Sequence, residues 1–428
     1  MSQNSTAPAF DAADPVALTQ ALIRCPSVTP AEGGALALLD AVLTAEGFTV
    51  DRPVFSAPGM PDVENLYARI GTDGPVLVIA GHTDVVPPGD LAAWTRDPFA
   101  ATIVDGVLYG RGACDMKGGL AASIIAAEAF VALYPDHPGR IEISATADEE
   151  TGGFGGVAFL AEQGAFAHVG HVLIPEPLHK DRICLGHRGV WWAEIETHGR
   201  IAHGSMPFLG DSAIRHMGAV LEEMERSLFP LLKSKRTEMP VIPEGAKNST
   251  LNINSIHGGE PDLGPGFTGL PAPCVADRCR IVIDRRFLIE EDLTEVKREV
   301  TAMLEGIRAE RPNFSYEIRD MFEVIPSMTD REAPVVRSTA AAIERVLGRE
   351  ADYVVSPGTY DQKHIDRIGK LKNCIAYGPG VLDLAHQPDE WIGVRDMLDS
   401  ARVMALVLDD ILRDGGRMGD SPNRDAMA

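Results

Sequence analysis

Residues 75–86 read PVLVIAGHTDVV. The apolar run from Val76 to Ala80 is too short for a core helix, and three of its five residues are β-branched, which suits a strand covered on both faces. Its polar residues, His82 and Asp84, come only at the carboxyl end. The pattern recurs twice. RIEISATA (140–147) runs into Asp148, Glu149 and Glu150, and GHVLIPEP (170–177) ends on Glu176. Between the first run and the second, MKGGLAASIIAAEAFVALY (116–134) places Met116, Leu120, Ile124, Ala127 and Val131 at helical spacing. Strands alternating with helices predict an α/β fold: an open, mostly parallel sheet flanked by helices, with its site beyond the carboxyl ends of the strands.

Upstream, DPVALTQALIRCPSVTP (14–30) starts with an Asp cap and reads as a helix, and GGALALLDAVLTAEGFTV (33–50) reads as a helix entering a strand. Downstream, the texture changes at residue 188. GVWWAEIETHG (189–199) alternates as a half-exposed strand does. There follow an amphipathic helix over 211–232, strands over 249–259 and 279–289, a charged-face helix over 290–312 and a strand over 314–324. This order predicts a small α+β sandwich inserted in the larger domain, with LPAPCVADRC (270–279) as a Pro-rich loop. The expected division is 1–187 and 326–428 for the larger domain and 188–325 for the insertion.

A chain of 428 residues exceeds a single core. The net charge of −23 argues against nucleic acid and anionic membrane surfaces as partners. The start, MSQNSTAPAFDAADP, has no basic segment followed by an apolar one, and no uninterrupted apolar run of about 18 residues suggests a bilayer span. Cys25, Cys114, Cys184, Cys274, Cys279 and Cys374 are scattered, as reduced thiols of a cytoplasmic protein would be. Cys114 reads as a packing residue, not a nucleophile.

His82 and Asp84, two apart, share a strand face, and a carboxylate beside an imidazole can hold the ring for a metal. Asp115 lies in the glycine-rich YGRGACDMKGG (109–119) and His386 in DLAHQPDEW (383–391). A lone strand-end histidine is more often an ordinary hydrogen-bonded residue, and a lone pair of glutamates is more often solvated. Two histidines and three or four carboxylates at one sheet edge are different, because so many acids need cations to offset their repulsion. The mixed set suits zinc, with cobalt or manganese as substitutes.

The motifs GHTDVVPPGD, DGVLYGRGACDMKGG, ADEETGG, PEP, AHGSMP and AHQPDEW occur in that order over nearly the whole chain. In them the chain resembles the succinyl-diaminopimelate desuccinylase and acetylornithine deacetylase group of di-zinc metallohydrolases, relatives of aminoacylase-1 and bacterial glutamate carboxypeptidase. The resemblance implies that Asp115 bridges two zinc ions, that His82 and Glu176 complete one site, and that Glu150 and His386 complete the other. It makes Asp84 the residue that orients His82, and Glu149 the general base for a metal-bridging water. His203 in AHGSMP would reach the partner subunit's site in a homodimer formed through the inserted domain. Arg188, Arg286 and Thr359 match substrate-contacting positions, with Arg285 an adjacent decoy. Asp148 is left solvated or structural. The implied activity is cleavage of the amide of an N-acyl amino acid. A dipeptidase or carboxypeptidase of the same type is the alternative, and a non-catalytic descendant is disfavoured because no ligand is lost. The chain departs from desuccinylases at Ala272, Pro273 and Cys274, which replace asparagines, and in the longer TEMPVIPEGAKNSTLN (237–252). The acyl group and amine therefore stay open.

Overall fold

The computed structural model describes residues 13–259 and 273–416. The first twelve residues and Ala272, which entered the readings above, lie outside them. The chain divides into two compact units: 1–186 with 328–354 and 360–428, and 187–327 with 355–359.

The first unit is built on a nine-stranded sheet. At its centre Arg140–Thr146, Val76–His82, His171–Ile174 and Cys374–Ala376 run parallel. Leu66–Gly71 and Thr49–Asp51 continue it antiparallel on one side, and Arg182–His187 on the other. The sheet is thus mixed, with the parallel order confined to its middle. Parallel neighbours need long crossovers, and here helices supply them. Every residue of Val76–His82 is buried, as the apolar run required. Asp14 caps the first helix, Pro15–Ile23, by accepting from the Val16 amide.

The helix Gly118–Leu133 packs on this sheet and against the C-terminal helix Val394–Arg413. Together with the turn before it, it forms a stretch, Ala113–Leu133, long and apolar enough to cross a membrane, with 72% of its most apolar window buried in the fold. The expectation that no segment passes that test is corrected here: small alanines and glycines keep such a core helix apolar on every side. A side chain at Gly119 would stand 2.0 Å from the Pro175 carbonyl oxygen. The glycine therefore lets this helix start against the strand end that carries Glu176.

The second unit has four antiparallel strands in the order Thr250–Gly258, Arg278–Phe287, Gly189–His198, Ser315–Val324. With helices after the first and third strands in sequence, this is a βαββαβ arrangement. Trp191, Ala193, Ile195, Ile281 and Ile283 form a core with Met217, Val220, Val300 and Leu304 from the helices. The amphipathic stretch 211–232 is broken into Ala213–Glu223 and Phe229–Ser234 by a wide turn, Met224–Leu228. Pro230 has no amide proton and cannot close the regular ladder to Arg226.

Candidate metal centre

His82 ends its strand with its side chain 1% exposed. Its Nδ1 lies 2.9 Å from the Asp84 carbonyl oxygen and 3.4 Å from Asp84 Oδ1. Nδ1 thereby donates to the Asp84 carbonyl, and Nε2 faces the neighbouring acids, to which it donates its own proton when no cation takes that place. Nε2 stands 3.2 Å from Asp115 Oδ1 and 4.0 Å from Glu176 Oε1. The Asp84 side chain also reaches the acidic turn. Its two oxygens accept the amides of Glu149 and Glu150, each at 3.2 Å.

Asp115 sits in the irregular turn Ala113–Lys117 with extended backbone angles, and its other oxygen, Oδ2, lies 3.5 Å from His386 Nε2. His386 Nε2 is also 3.0 Å from Glu150 Oε2. Two sets of donors result, His82–Asp115–Glu176 and Asp115–Glu150–His386, with the donor atoms of each set within 4.8 Å of one another. Asp115 belongs to both, offering one oxygen to each side.

The electrostatics suit this donor set to cations. Burial and the Asp115 charge push Glu150 up to about 7, and the same two causes hold Glu176 well above the usual carboxylate range. Burial also acts to raise Asp115, but hydrogen bonds from His386 and His82 outweigh it and keep its carboxyl low. His386 is pushed up to about 10 by its bonds to Asp115 and Glu150. Without cations, shared protons hold the cluster together. Deprotonated, the same oxygens and nitrogens are two sets of hard and borderline metal ligands.

Further residues join that the sequence reading did not pick out. Glu390 Oε1 accepts the amides of Cys114 and Asp115 at 2.8 and 3.0 Å, while its Oε2 meets Arg111 at 2.6 Å. Arg111 also donates to the carbonyls of Gln387 and His386, at 3.3 and 3.4 Å. This buried pair ties the Asp115 turn to the His386 loop, where His386 has φ 63°. The pairing of Trp391–Gly393 with Val107–Tyr109 brings the two segments together. Lys363, on the short helix Gln362–Arg367, places Nζ 3.1 Å from Glu149 Oε1. Burial opposes its charge, but the Glu149 and Asp361 carboxylates outweigh that, and the ammonium is held above its ordinary value. A signal existed for Glu390 in its place within AHQPDEW. Lys363 had none, since DQKH reads as a solvated stretch.

Asp148 is buried and structural: its Oδ2 accepts the Gly155 amide at 2.7 Å, and burial pushes it up to about 6. Cys114 is buried, with Sγ 3.2 Å from the Val381 carbonyl, and burial pushes its thiol well up, as a packing residue requires. All six cysteines are free thiols.

His203, Arg188, Arg286 and Thr359 belong to the second unit. His203 is exposed, and its Nδ1 lies 3.2 Å from the Ser205 amide, which donates to it. In the neutral ring the proton is then on Nε2, which becomes a donor. Arg188 is buried and donates to the carbonyls of Pro357, Ala246 and Asn248, so it braces the Thr359 loop. Arg286 is held in a fork by Asp284 at 2.6 and 3.0 Å. Arg285 is fully buried and bound to Glu291.

Comparison with known proteins adds a family and a fold. The family model described as Peptidase family M20/M25/M40 matches residues 78–410. A curated succinyl-diaminopimelate desuccinylase of Methylorubrum extorquens is 36% identical over 403 residues, covering 92% of this chain and 98% of that protein. Among solved structures, an M20 family metallo-carboxypeptidase from Sulfolobus solfataricus superposes with a TM-score of 0.73 at 19% identity, over 93% of this chain and 99% of that one. Human carnosine dipeptidase 1 gives 0.71 at 21% identity, over 94% and 95%.

Proposed function

Because the chain belongs to Peptidase family M20/M25/M40, we propose that it is a cytoplasmic, homodimeric zinc enzyme that hydrolyses the amide bond of N-acylated amino acids. The observation that carries this reading is Asp115, whose two oxygens face two separate sets of ligands beside a glutamate that belongs to neither. His82, Asp115 and Glu176 would hold one divalent cation and Asp115, Glu150 and His386 the other. A pair of such ions polarises an amide carbonyl and makes water acidic enough to attack near neutral pH.

The chain's own groups do the rest. Glu149 takes a proton from the attacking water and returns it to the leaving amine. Asp84 fixes the backbone of Glu149 through the amide at 3.2 Å, so the base is set from the same residue that orients His82. His203, with its proton on Nε2, supplies a donor for the developing oxyanion of the partner subunit's site. Arg286 exchanges Asp284 for the substrate carboxylate, and Arg188 braces the loop that presents Thr359. The name of the desuccinylase relative supports a succinyl amide. The replacements near Cys274 weigh against an identical pocket.

The test is a panel of N-succinyl-diaminopimelate, N-acetyl-ornithine and simple dipeptides, run with metal analysis on wild type and Glu149→Gln. An N-acyl amino acid should show the highest kcat/KM. Glu149→Gln should keep both metal ions and lose turnover by at least about a thousandfold. Dipeptides turned over tenfold faster than any N-acyl amino acid would replace the deacylase reading with the peptidase one.

A further inference from the structure

Lys363 is a strange residue to bury. Its side chain is 3% exposed, it sits in the first turn of a short helix, and a lysine there could have pointed to solvent. Its Nζ finds Glu149 Oε1 at 3.1 Å, with Asp361 Oδ1 at 4.0 Å. The next residue of the same helix, His364, places Nε2 2.8 Å from the Gly152 carbonyl oxygen. The helix therefore grips the acidic turn twice, by the glutamate side chain and by the backbone three residues on. From the other side, Asp84 holds the amides of Glu149 and Glu150. A glutamate side chain has three rotatable bonds, and a proton must be taken at one atom in one direction.

We propose that Lys363 is a positioning residue for the general base, pinning Glu149 through Oε1 and leaving Oε2 as the oxygen that handles the proton. The inference rests on the reading of Glu149 as the base. A structural ion pair would put the lysine anywhere along the turn. Here it meets the one acid of the three that neither ligates nor bonds to the backbone turn: Glu150 faces His386, and Asp148 holds the Gly155 amide.

The experiment uses Lys363→Met and Lys363→Arg in the full-length, zinc-loaded protein with N-succinyl-diaminopimelate, or with the fastest substrate of the panel above. Lys363→Met should keep two metal ions per chain and a KM within about twofold of wild type, while kcat falls about 10–100-fold. Lys363→Arg, which keeps the cation, should recover most of the loss. In a Glu149→Gln background, adding Lys363→Met should change kcat by less than about threefold, because the residue it acts through is already gone. Equal losses in both backgrounds, or an unchanged kcat in Lys363→Met, overturn the proposal. Melting supplies a second readout. Glu149→Gln strands a buried ammonium, so the double variant should melt above the level set by adding the two single losses. Should Lys363→Met alone fail to fold, the double variant should fold. Its failure to do so would make Lys363 structural and overturn the assignment. A Glu149→Gln enzyme with wild-type kcat would instead sink the reading of Glu149 as base, a separate result from any of these.

Discussion

Arg111→Met tests how the two metal sites are held. Arg111 is 2% exposed and pairs at 2.6 Å with Glu390, which is 1% exposed. Its guanidinium also lies 5.1 Å from the Trp94 ring centre. Methionine fills much of the volume but strands the Glu390 charge, and breaking a buried pair from one side costs about 3–5 kcal/mol. Glu390 keeps the amides of Cys114 and Asp115, which places the loss at about 3 kcal/mol, the lower end. The same substitution releases the carbonyls of His386 and Gln387. His386 holds φ 63°, a conformation that costs about 1–3 kcal/mol and persists only while its surroundings enforce it. The His386 loop should relax, and the site of Asp115, Glu150 and His386 should lose about 10–100-fold in zinc affinity. The site of His82, Asp115 and Glu176 receives no bond from Arg111 and should stay within about threefold. Competition of the dialysed enzyme against a chromophoric chelator resolves the two classes of site, and thermal melts give the stability loss. Equal weakening of both sites, or none in either, would refute the idea that this pair supports one site selectively.

Asp115→Ala should empty both sites, because one carboxylate serves both sets; a variant that retains one tightly bound zinc with normal folding removes Asp115 as the bridge. Glu128 titrates away from the centre: burial, aided by Glu46, pushes it up to about 8 from an ordinary 4.5. Folding thus favours its protonated form, a contribution fully present below about pH 4.5 and lost as pH rises through about 8. Glu128→Gln should gain on wild type in melting temperature between about pH 5 and about pH 9, and a constant difference would refute the shift. If His203 serves the partner's site, inactive Glu149→Gln and His203→Ala dimers should regain about a quarter of wild-type activity after subunit exchange. No recovery despite exchange demonstrated with a tagged subunit would exclude that geometry.

Much of this candidate centre was legible because its donor residues sit where strands end. His82, Glu150 and Glu176 each follow an apolar run, and such runs fix both the strand and the edge of the sheet to which its end belongs. Asp115 and His386 were legible as members of the cluster, but their separate roles came only from the family resemblance, since a glycine-rich turn and a polar loop carry no period. The parallel centre of the sheet was legible for the same reason, while its antiparallel flanks were not. Leu66–Gly71 has the composition of either kind of strand, and only its neighbour decides the direction. Lys363 and Arg111 were invisible for a physical reason: a lysine or arginine is buried by what surrounds it, and the acids that bury these two lie 214 and 279 residues away in sequence.

The apolar stretch Ala113–Leu133 has a consequence for synthesis. Its cover, the helix Val394–Arg413, leaves the ribosome about 260 residues later. At about 5–20 residues per second, the nascent chain carries this bilayer-length apolar stretch without its C-terminal cover for about 13–50 s. Holdase chaperones and the membrane-targeting machinery, both of which recognise such segments, have that interval to compete for it. Yield in a cell should therefore depend on chaperone supply and translation speed more than the stability of the finished protein would suggest, and moving the C-terminal helix ahead of this segment by circular permutation should relieve that dependence.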